Sequence, residues 1–305
     1  MNNTSKKYFY FPPYKKQFYF SEDLLLGSKP FNYIYAPYTW RLKLIWTLWR
    51  RFSILRNFFK CKINSLPKLT QELINTAELN NMIYQINTGT SGEEQKTTIY
   101  AYSANGTEYF IKGGKSKAAC NLIENEALIL NKISSFIDVP KVEQFVKTNG
   151  LTILMTEAIK AKKITDTKID LAILQYIVKV SEIELTRRNG YIYCFSHGDC
   201  CPWNLLKRED ESLVLIDWEL AGMKPLGYDL LTYIFRTSFL VKPEESPALV
   251  LRENSAIISK YYQTFGISKY ERYINLVSHV QVEYVKTKGS KSLIDNWTQL
   301  ALISQ

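Results

Sequence analysis

The sequence predicts an α+β chain of two lobes, a small lobe built on a five-stranded antiparallel sheet with one helix, followed by a larger, mainly helical lobe. Three observations carry that expectation. Short runs rich in alternating apolar residues fill the stretch from Met82 to Thr156. An Asn-Gly pair, Asn105-Gly106, falls between two of these runs, where a hairpin turn belongs. Beyond Thr156 the apolar residues recur at mostly helical intervals. With 305 residues, 46% of them apolar, and only ten prolines and thirteen glycines, the chain can bury a sizeable core.

Residues 1–39 are crowded with aromatics, among them Tyr8, Phe9, Tyr10, Phe11, Phe18, Tyr19 and Phe20, and are interrupted by Pro12, Pro13, Pro30 and Pro37, so extended segments and turns are expected. From Trp40 to Lys62 the residues Leu44, Ile45, Leu48, Phe52, Leu55 and Phe59 recur every three or four positions, which predicts one helix. Strands are expected at Met82–Asn87, Lys96–Tyr102, Glu108–Lys112, Val142–Lys147 and Leu151–Thr156, with a helix from about Lys115 to Ser134. A second long helix is expected from Ile169 to Arg188, stopped by Asn189-Gly190. Short strands at Leu205–Lys207 and Leu213–Ile216 flank a polar turn, and the rest, from Leu230, reads as helical. The chain thus divides into segments 1–80, 81–156 and 157–305.

Charge separates the first segment from the others. Residues 1–80 hold 13 Lys and Arg against 4 Asp and Glu, +9 of the total +10. A basic excess confined to one terminal segment argues against nucleic acid as a partner of the body of the protein. Five cysteines without paired CxxC spacing indicate neither a disulfide framework nor a zinc site. No secretory signal pattern is expected in the first 35 residues and no apolar stretch is long enough to span a bilayer, so the expected location is cytoplasmic.

The chemistry is concentrated in Ser196-His197-Gly198-Asp199-Cys200-Cys201-Pro202-Trp203-Asn204-Leu205-Leu206, closed by Ile216-Asp217-Trp218-Glu219. An Asp ahead of a strand, an Asn five residues later and a second Asp past the returning strand converge at one end of a hairpin. Such a group suits phosphoryl transfer, which needs a carboxylate near the attacking hydroxyl and oxygen ligands for Mg²⁺. The pattern resembles the aminoglycoside phosphotransferase and choline kinase superfamily, relatives of protein kinases: His197-Gly198-Asp199 stands where protein kinases carry His-Arg-Asp, and Ile216-Asp217-Trp218 where they carry Asp-Phe-Gly.

That resemblance implies a protein-kinase-like fold, ATP and Mg²⁺ as cofactors, and an alcohol group as acceptor. It makes Asp199 the catalytic base or hydroxyl-orienting residue, Asn204 and Asp217 the metal ligands with Glu219 in support, and His197 and Asp229 the residues that hold the loop. Segment 81–156 becomes the nucleotide-binding lobe and 157–305 the catalytic and substrate lobe. Lys112 would position the ATP phosphates with Glu126 as partner. Glu124 lies about 200° around the helix from Glu126, so only one of the two can face Lys112, and Glu126 shares the inward stripe. The turn Gly89-Thr90-Ser91-Gly92 would cover the phosphates, and Glu157 with Ile159 would bind adenine through backbone atoms.

A small-molecule acceptor is expected, with no substrate-docking segment of the protein-kinase type after Asp217. Sugars, choline-like amino alcohols and aminoglycosides all remain open, with a saccharide or other cell-envelope precursor preferred because the basic aromatic segment suits a site near a membrane. A catalytically weak, nucleotide-binding scaffold is the alternative from another class. For residues 40–62, with seven basic and no acidic residues, two readings stand side by side: a helix packed on the kinase body, and a peripheral contact with anionic membrane.

Overall fold

The computed structural model describes residues 7–11, 17–21, 34, 40–62, 66–79, 82–103, 105–164 and 166–304. The turns expected at Pro12, Pro13, Pro30 and Pro37 lie outside the described residues. Two compact units are present, one formed by the described residues as far as Asn131 with Pro140–Ile159, the other by Lys132–Val139 with the described residues from Lys160 onward.

In the first unit the alternation of Tyr and Phe decides the architecture. Strands β1 (Lys7–Tyr10) and β2 (Phe18–Ser21) pair antiparallel, Phe9 opposite Phe20. Because successive strand residues face opposite sides, Tyr8 and Tyr19 enter one buried cluster while Phe9, Phe11, Phe18 and Phe20 enter another. A two-sided apolar strand pair cannot be left in water, and it joins a larger sheet: β3 (Lys60–Lys62) pairs with β1, and β2 pairs with β4 (Ile83–Asn87). The sheet continues through β5 (Thr97–Tyr102), β6 (Glu108–Gly114), β8 (Leu151–Glu157) and β7 (Val142–Thr148). Among the described residues it therefore has eight strands in the order β3-β1-β2-β4-β5-β6-β8-β7, not the expected five. The five were read from their own turns, whereas the three from residues 1–80 join through long-range pairing that leaves no local signal.

The helix expected from Trp40 to Lys62 is two helices and a strand, α1 (Trp40–Arg51), α2 (Ser53–Asn57) and β3. Phe52 between them is extended, with φ −103° and ψ 106°. The buried residues also differ from the expected stripe. Trp46 and Trp49, whose indoles are larger than the Leu and Ile side chains, pack on Phe11 and Phe20 with ring centroids 4.9–5.6 Å apart, while Leu44, Leu48 and Phe52 are exposed. A further helix, α3 (Lys68–Thr76), was not expected, and its Leu73 and Ile74 close the core against Tyr84, Ile99, Ile111 and Ile153. Helix α4 (Lys117–Ile133) follows β6.

The second unit is mainly helical, with two small sheets. Helix α5 (Leu171–Ser181) starts at Asp170, whose carboxylate accepts the Ile173 N–H at 2.8 Å, an N-cap the sequence carries in plain view. It stops ten residues after it starts, and residues expected to continue it form β10 (Leu185–Arg188), paired with β11 (Tyr191–Ser196). Asn189 (φ 51°) and Gly190 (φ 78°) are both left-handed, which makes them the centre of a primed hairpin turn and not a helix stop. β11 also pairs with β14 (Gly222–Pro225), and β12 (Leu205–Lys207) lies between β13 (Leu213–Leu215) and the short β9 (Lys162–Lys163). Helices α6 (Tyr228–Leu231), α7 (Thr237–Val241), α8 (Pro247–Thr264), α9 (Glu271–Lys288) and α10 (Lys291–Ile303) complete the unit, with a π-helical turn over Thr232–Arg236. No helix among the described residues is long and apolar enough to cross a membrane.

Candidate active site

Two registers bring the loop residues together. Ser196 opposite Gly222 ends the β11–β14 pair, and Leu205 opposite Leu215 starts the β12–β13 pair. The segment His197–Asn204 is therefore held at both ends, with Ile216 N–H donating to Asn204 O at 2.9 Å. Asp217, next along the chain, is a non-glycine residue in the left-handed region, φ 72° and ψ 56°, a conformation that costs about 1–2 kcal/mol and persists only where neighbours enforce it. The neighbour here is Trp218, fully buried, whose indole N–H donates to Leu215 O at 2.9 Å.

Asp229 organises the loop from below. Its carboxylate accepts the His197 N–H at 2.6 Å and the Gly198 N–H at 3.0 Å. Burial pushes this carboxyl up to about 6, against the downward pull of the two N–H donors. Gly198 has φ 85°, and a Cβ there would overlap the Leu220 carbonyl oxygen, so only glycine fits. His197 is fully buried against Trp218, ring centroids 4.6 Å apart. Its Nδ1 accepts the Asp199 N–H at 3.2 Å, which leaves Nε2 to donate to Ile216 O at 2.9 Å. The imidazole thus fastens the two halves of the loop to each other.

Asp199 is fixed from two sides. Asn204 Nδ2 donates to its Oδ2 at 3.1 Å and to its backbone O at 2.9 Å, and Arg236 Nη1 donates to its Oδ1. Burial raises the Asp199 carboxyl to about 6, Arg236 and Asn204 pull it down, and Asp217 and Glu219 push it up. Arg236 feels the reverse: burial disfavours its charge most strongly, but the Asp199 carboxylate, together with Cys201, Tyr284 and Tyr228, holds it above the usual guanidinium range. Because Asn204 spends its N–H on Asp199, its amide oxygen is the group that can meet a metal. Asp217 and Glu219 each offer a carboxylate oxygen, within 4.8 Å of each other. An all-oxygen set of one amide and two carboxylates fits a hard divalent cation such as Mg²⁺.

Sequence reasoning missed Arg236 and Lys163. Arg236 had a signal, being the one charge in the twelve-residue run from Leu230 to Val241; it ends the π turn, an irregularity common at functional sites. Lys163 had none, lying among other lysines. Burial lowers its ammonium while the Asp217 charge raises it.

In the first unit, Lys112 Nζ donates to both carboxylate oxygens of Glu126, at 2.8 and 2.6 Å. Glu126 is buried, and Glu124 instead pairs with Lys147 at 2.6 Å on the surface. The turn Gly89-Thr90-Ser91-Gly92 links β4 to β5, with the Gly89 N–H donating to Asn87 Oδ1 at 2.9 Å and Gln95 Nε2 to Thr88 O at 3.0 Å. At the end of β8, the N–H groups of Glu157 and Ala158 donate to Lys141 O at 2.9 Å and Glu108 O at 3.0 Å. Both amides are thereby occupied.

Fold and site together define a phosphotransferase with a protein-kinase-like fold. The sequence profile of choline/ethanolamine kinase matches residues 144–305, and the chain belongs to this family, within the aminoglycoside phosphotransferase and choline kinase superfamily. It is an ATP-dependent phosphotransferase that has an alcohol group of a small molecule as acceptor. No curated protein matches the chain. Among solved structures, an aminoglycoside-3'-phosphotransferase of type VIII is similar at 15% identity and TM-score 0.50, over 77% of this chain and 98% of that one. A thermostable mutant of aminoglycoside phosphotransferase APH(4)-Ia, in ternary complex with ADP and hygromycin B, is similar at 10% identity and TM-score 0.52, over 78% and 98%. At these identities the likeness is one of fold.

Proposed function

We propose that the chain transfers the ATP γ-phosphoryl group to a hydroxyl of a saccharide or other cell-envelope precursor. The observation that carries the catalytic part is the clamped Asp199, with one carboxylate oxygen on Arg236 and the other on Asn204. A carboxylate with restricted rotation and an acid constant near 6 suits orienting a hydroxyl and taking its proton near neutral pH. Lys112, held by Glu126, meets the phosphates; the Gly89-Thr90-Ser91-Gly92 turn covers them; the Glu157 carbonyl and Ile159 amide take adenine. Asn204 and Asp217 hold Mg²⁺ with Glu219 in support, and when bound the ion neutralises charge on the phosphates. His197 and Asp229 keep the loop in shape and exchange no proton with substrate.

The acceptor preference rests on the cationic, aromatic segment 40–62, read as a peripheral contact with anionic membrane, on whose cytoplasmic side envelope precursors are met. The test is ADP release from Mg-ATP with a panel of sugars, amino alcohols and aminoglycosides. Acceptor-dependent release with a sugar or sugar-phosphate supports the proposal. Release with choline or an aminoglycoside alone replaces the acceptor and keeps the mechanism. If Lys112→Ala and Asp217→Ala both retain full transfer, the assignment of the site is wrong.

A further inference from the structure

Helix α1 has one face satisfied and one face bare. Trp46 and Trp49 are 4% and 3% exposed, packed on the phenylalanines of β1 and β2. Leu44 and Leu48 each stand two residues from Trp46, about 200° around α1, and Trp40 precedes Leu44 by one turn. These three are 71%, 53% and 41% exposed in the order Trp40, Leu44, Leu48. The Phe52 N–H donates to Leu48 O at 3.0 Å, and beyond the extended Phe52, α2 and the residue that ends it add Ile54 at 72% and Phe58 at 77% exposure. Of the seventeen large apolar residues exposed among the described ones, eight fall in the nineteen positions from Trp40 to Phe58.

The charge around this face is of one sign. Arg41, Lys43, Arg50, Arg51 and Lys60 are exposed, and residues 40–62 contain no Asp or Glu. Self-association through such a patch would set its own cations against each other, because a two-fold interface repeats the same surface on both sides. A bilayer of anionic lipid meets both features, taking apolar side chains to the depth of the acyl boundary and setting phosphates against the cations, with tryptophan favoured at that depth.

We propose that Trp40, Leu44, Leu48, Ile54 and Phe58 form a docking face for the surface of an anionic phospholipid bilayer, with Arg41, Lys43 and Arg51 meeting the headgroup phosphates. This rests on the membrane reading of residues 40–62 and not on the identity of the acceptor. It names which side of the helix enters the lipid: the side away from Trp46 and Trp49, which hold the helix to the sheet.

The test uses the full chain with vesicles of phosphatidylcholine alone and with about 30% phosphatidylserine, followed by co-sedimentation at low and high salt. Binding to the anionic vesicles only, weakened by salt, is expected. Leu44→Glu with Leu48→Glu should weaken it by about tenfold or more, and Arg41→Gln with Lys43→Gln by roughly tenfold, with the thermal midpoint and ATP turnover in solution unchanged in both. If the full chain ignores anionic vesicles, the face and the membrane reading fall together. If it binds and the Leu44→Glu, Leu48→Glu chain binds equally, only the face is wrong. A dimer in gel filtration that this double variant converts to monomer would give the face to a second copy, and a drop of several degrees in the midpoint would give it to the chain's own packing; either overturns the proposal.

Discussion

Replacing Asp229 with alanine should unfasten the turn that delivers Asp199. The carboxylate is 2% exposed and accepts two backbone N–H groups, from His197 and Gly198. Alanine leaves both donors buried without an acceptor, at about 1–3 kcal/mol each and so about 2–6 kcal/mol together. Asparagine keeps the shape but brings one acceptor oxygen to two donors, and should cost about half as much. Protonation gives a second handle. The folded carboxyl titrates at about 6, above its unfolded value, so its contribution is fully present below the unfolded value and is lost as pH rises through about 6. From an unfolded value of about 3.9, the wild type should gain about 1.3 kcal/mol relative to Asp229→Asn on going from pH 7 to pH 5. Urea denaturation of the wild type and both variants at the two pH values measures all of this. A gap between wild type and the asparagine variant that is equal at pH 5 and pH 7 would refute the argument from burial. An alanine variant that loses less than about 1 kcal/mol would refute the argument from orphaned donors.

Asp199→Asn should lower turnover by roughly 10²-fold or more, and wild-type kcat/KM should rise with pH through about 6, because the ionised carboxylate is the active form; a profile flat from about pH 5 to 8 would contradict this role. Arg236→Gln removes the cation that draws the Asp199 carboxyl down, so the acid limb should move up by about 1–3 pH units with activity recovering in alkali, whereas a loss of equal size at every pH would assign Arg236 to structure alone. Trp46→Ala should cost about 3–5 kcal/mol in urea denaturation, as for other buried indoles; a cost near zero would mean that α1 does not hold the added strands.

The sequence was most legible where a local device fixes the backbone. Asn105-Gly106 and the alternating runs around it placed β5 and β6 to within about two residues. The same dipeptide misled at Asn189-Gly190. A primed hairpin turn and a helix C-terminus both need left-handed backbone, and Leu-Thr-Arg-Arg before it has no alternation strong enough to decide between them. The loop from His197 to Asn204 was legible because its residues sit close together in the chain. Arg236 was not, since its partner Asp199 lies 37 positions earlier and only the folded loop brings the two charges together. Residues 1–80 were read as a separate basic segment for a related reason: charge is visible in composition, whereas the pairing of Phe18 with Asn87 is not.

The order of strands has one more consequence. Without β1–β3 the sheet would end at β4, whose Ile-Tyr-Gln-Ile-Asn sequence would offer an open row of backbone donors and acceptors on an apolar strand, an invitation to edge-to-edge aggregation. With them it ends at β3, three residues long and reading Lys-Cys-Lys. A short, lysine-bearing rim is a poor template for another chain. The N-terminal strands thus act as a built-in guard of colloidal stability, and a protein shortened to begin near residue 81 should be recovered from cells mainly as aggregate.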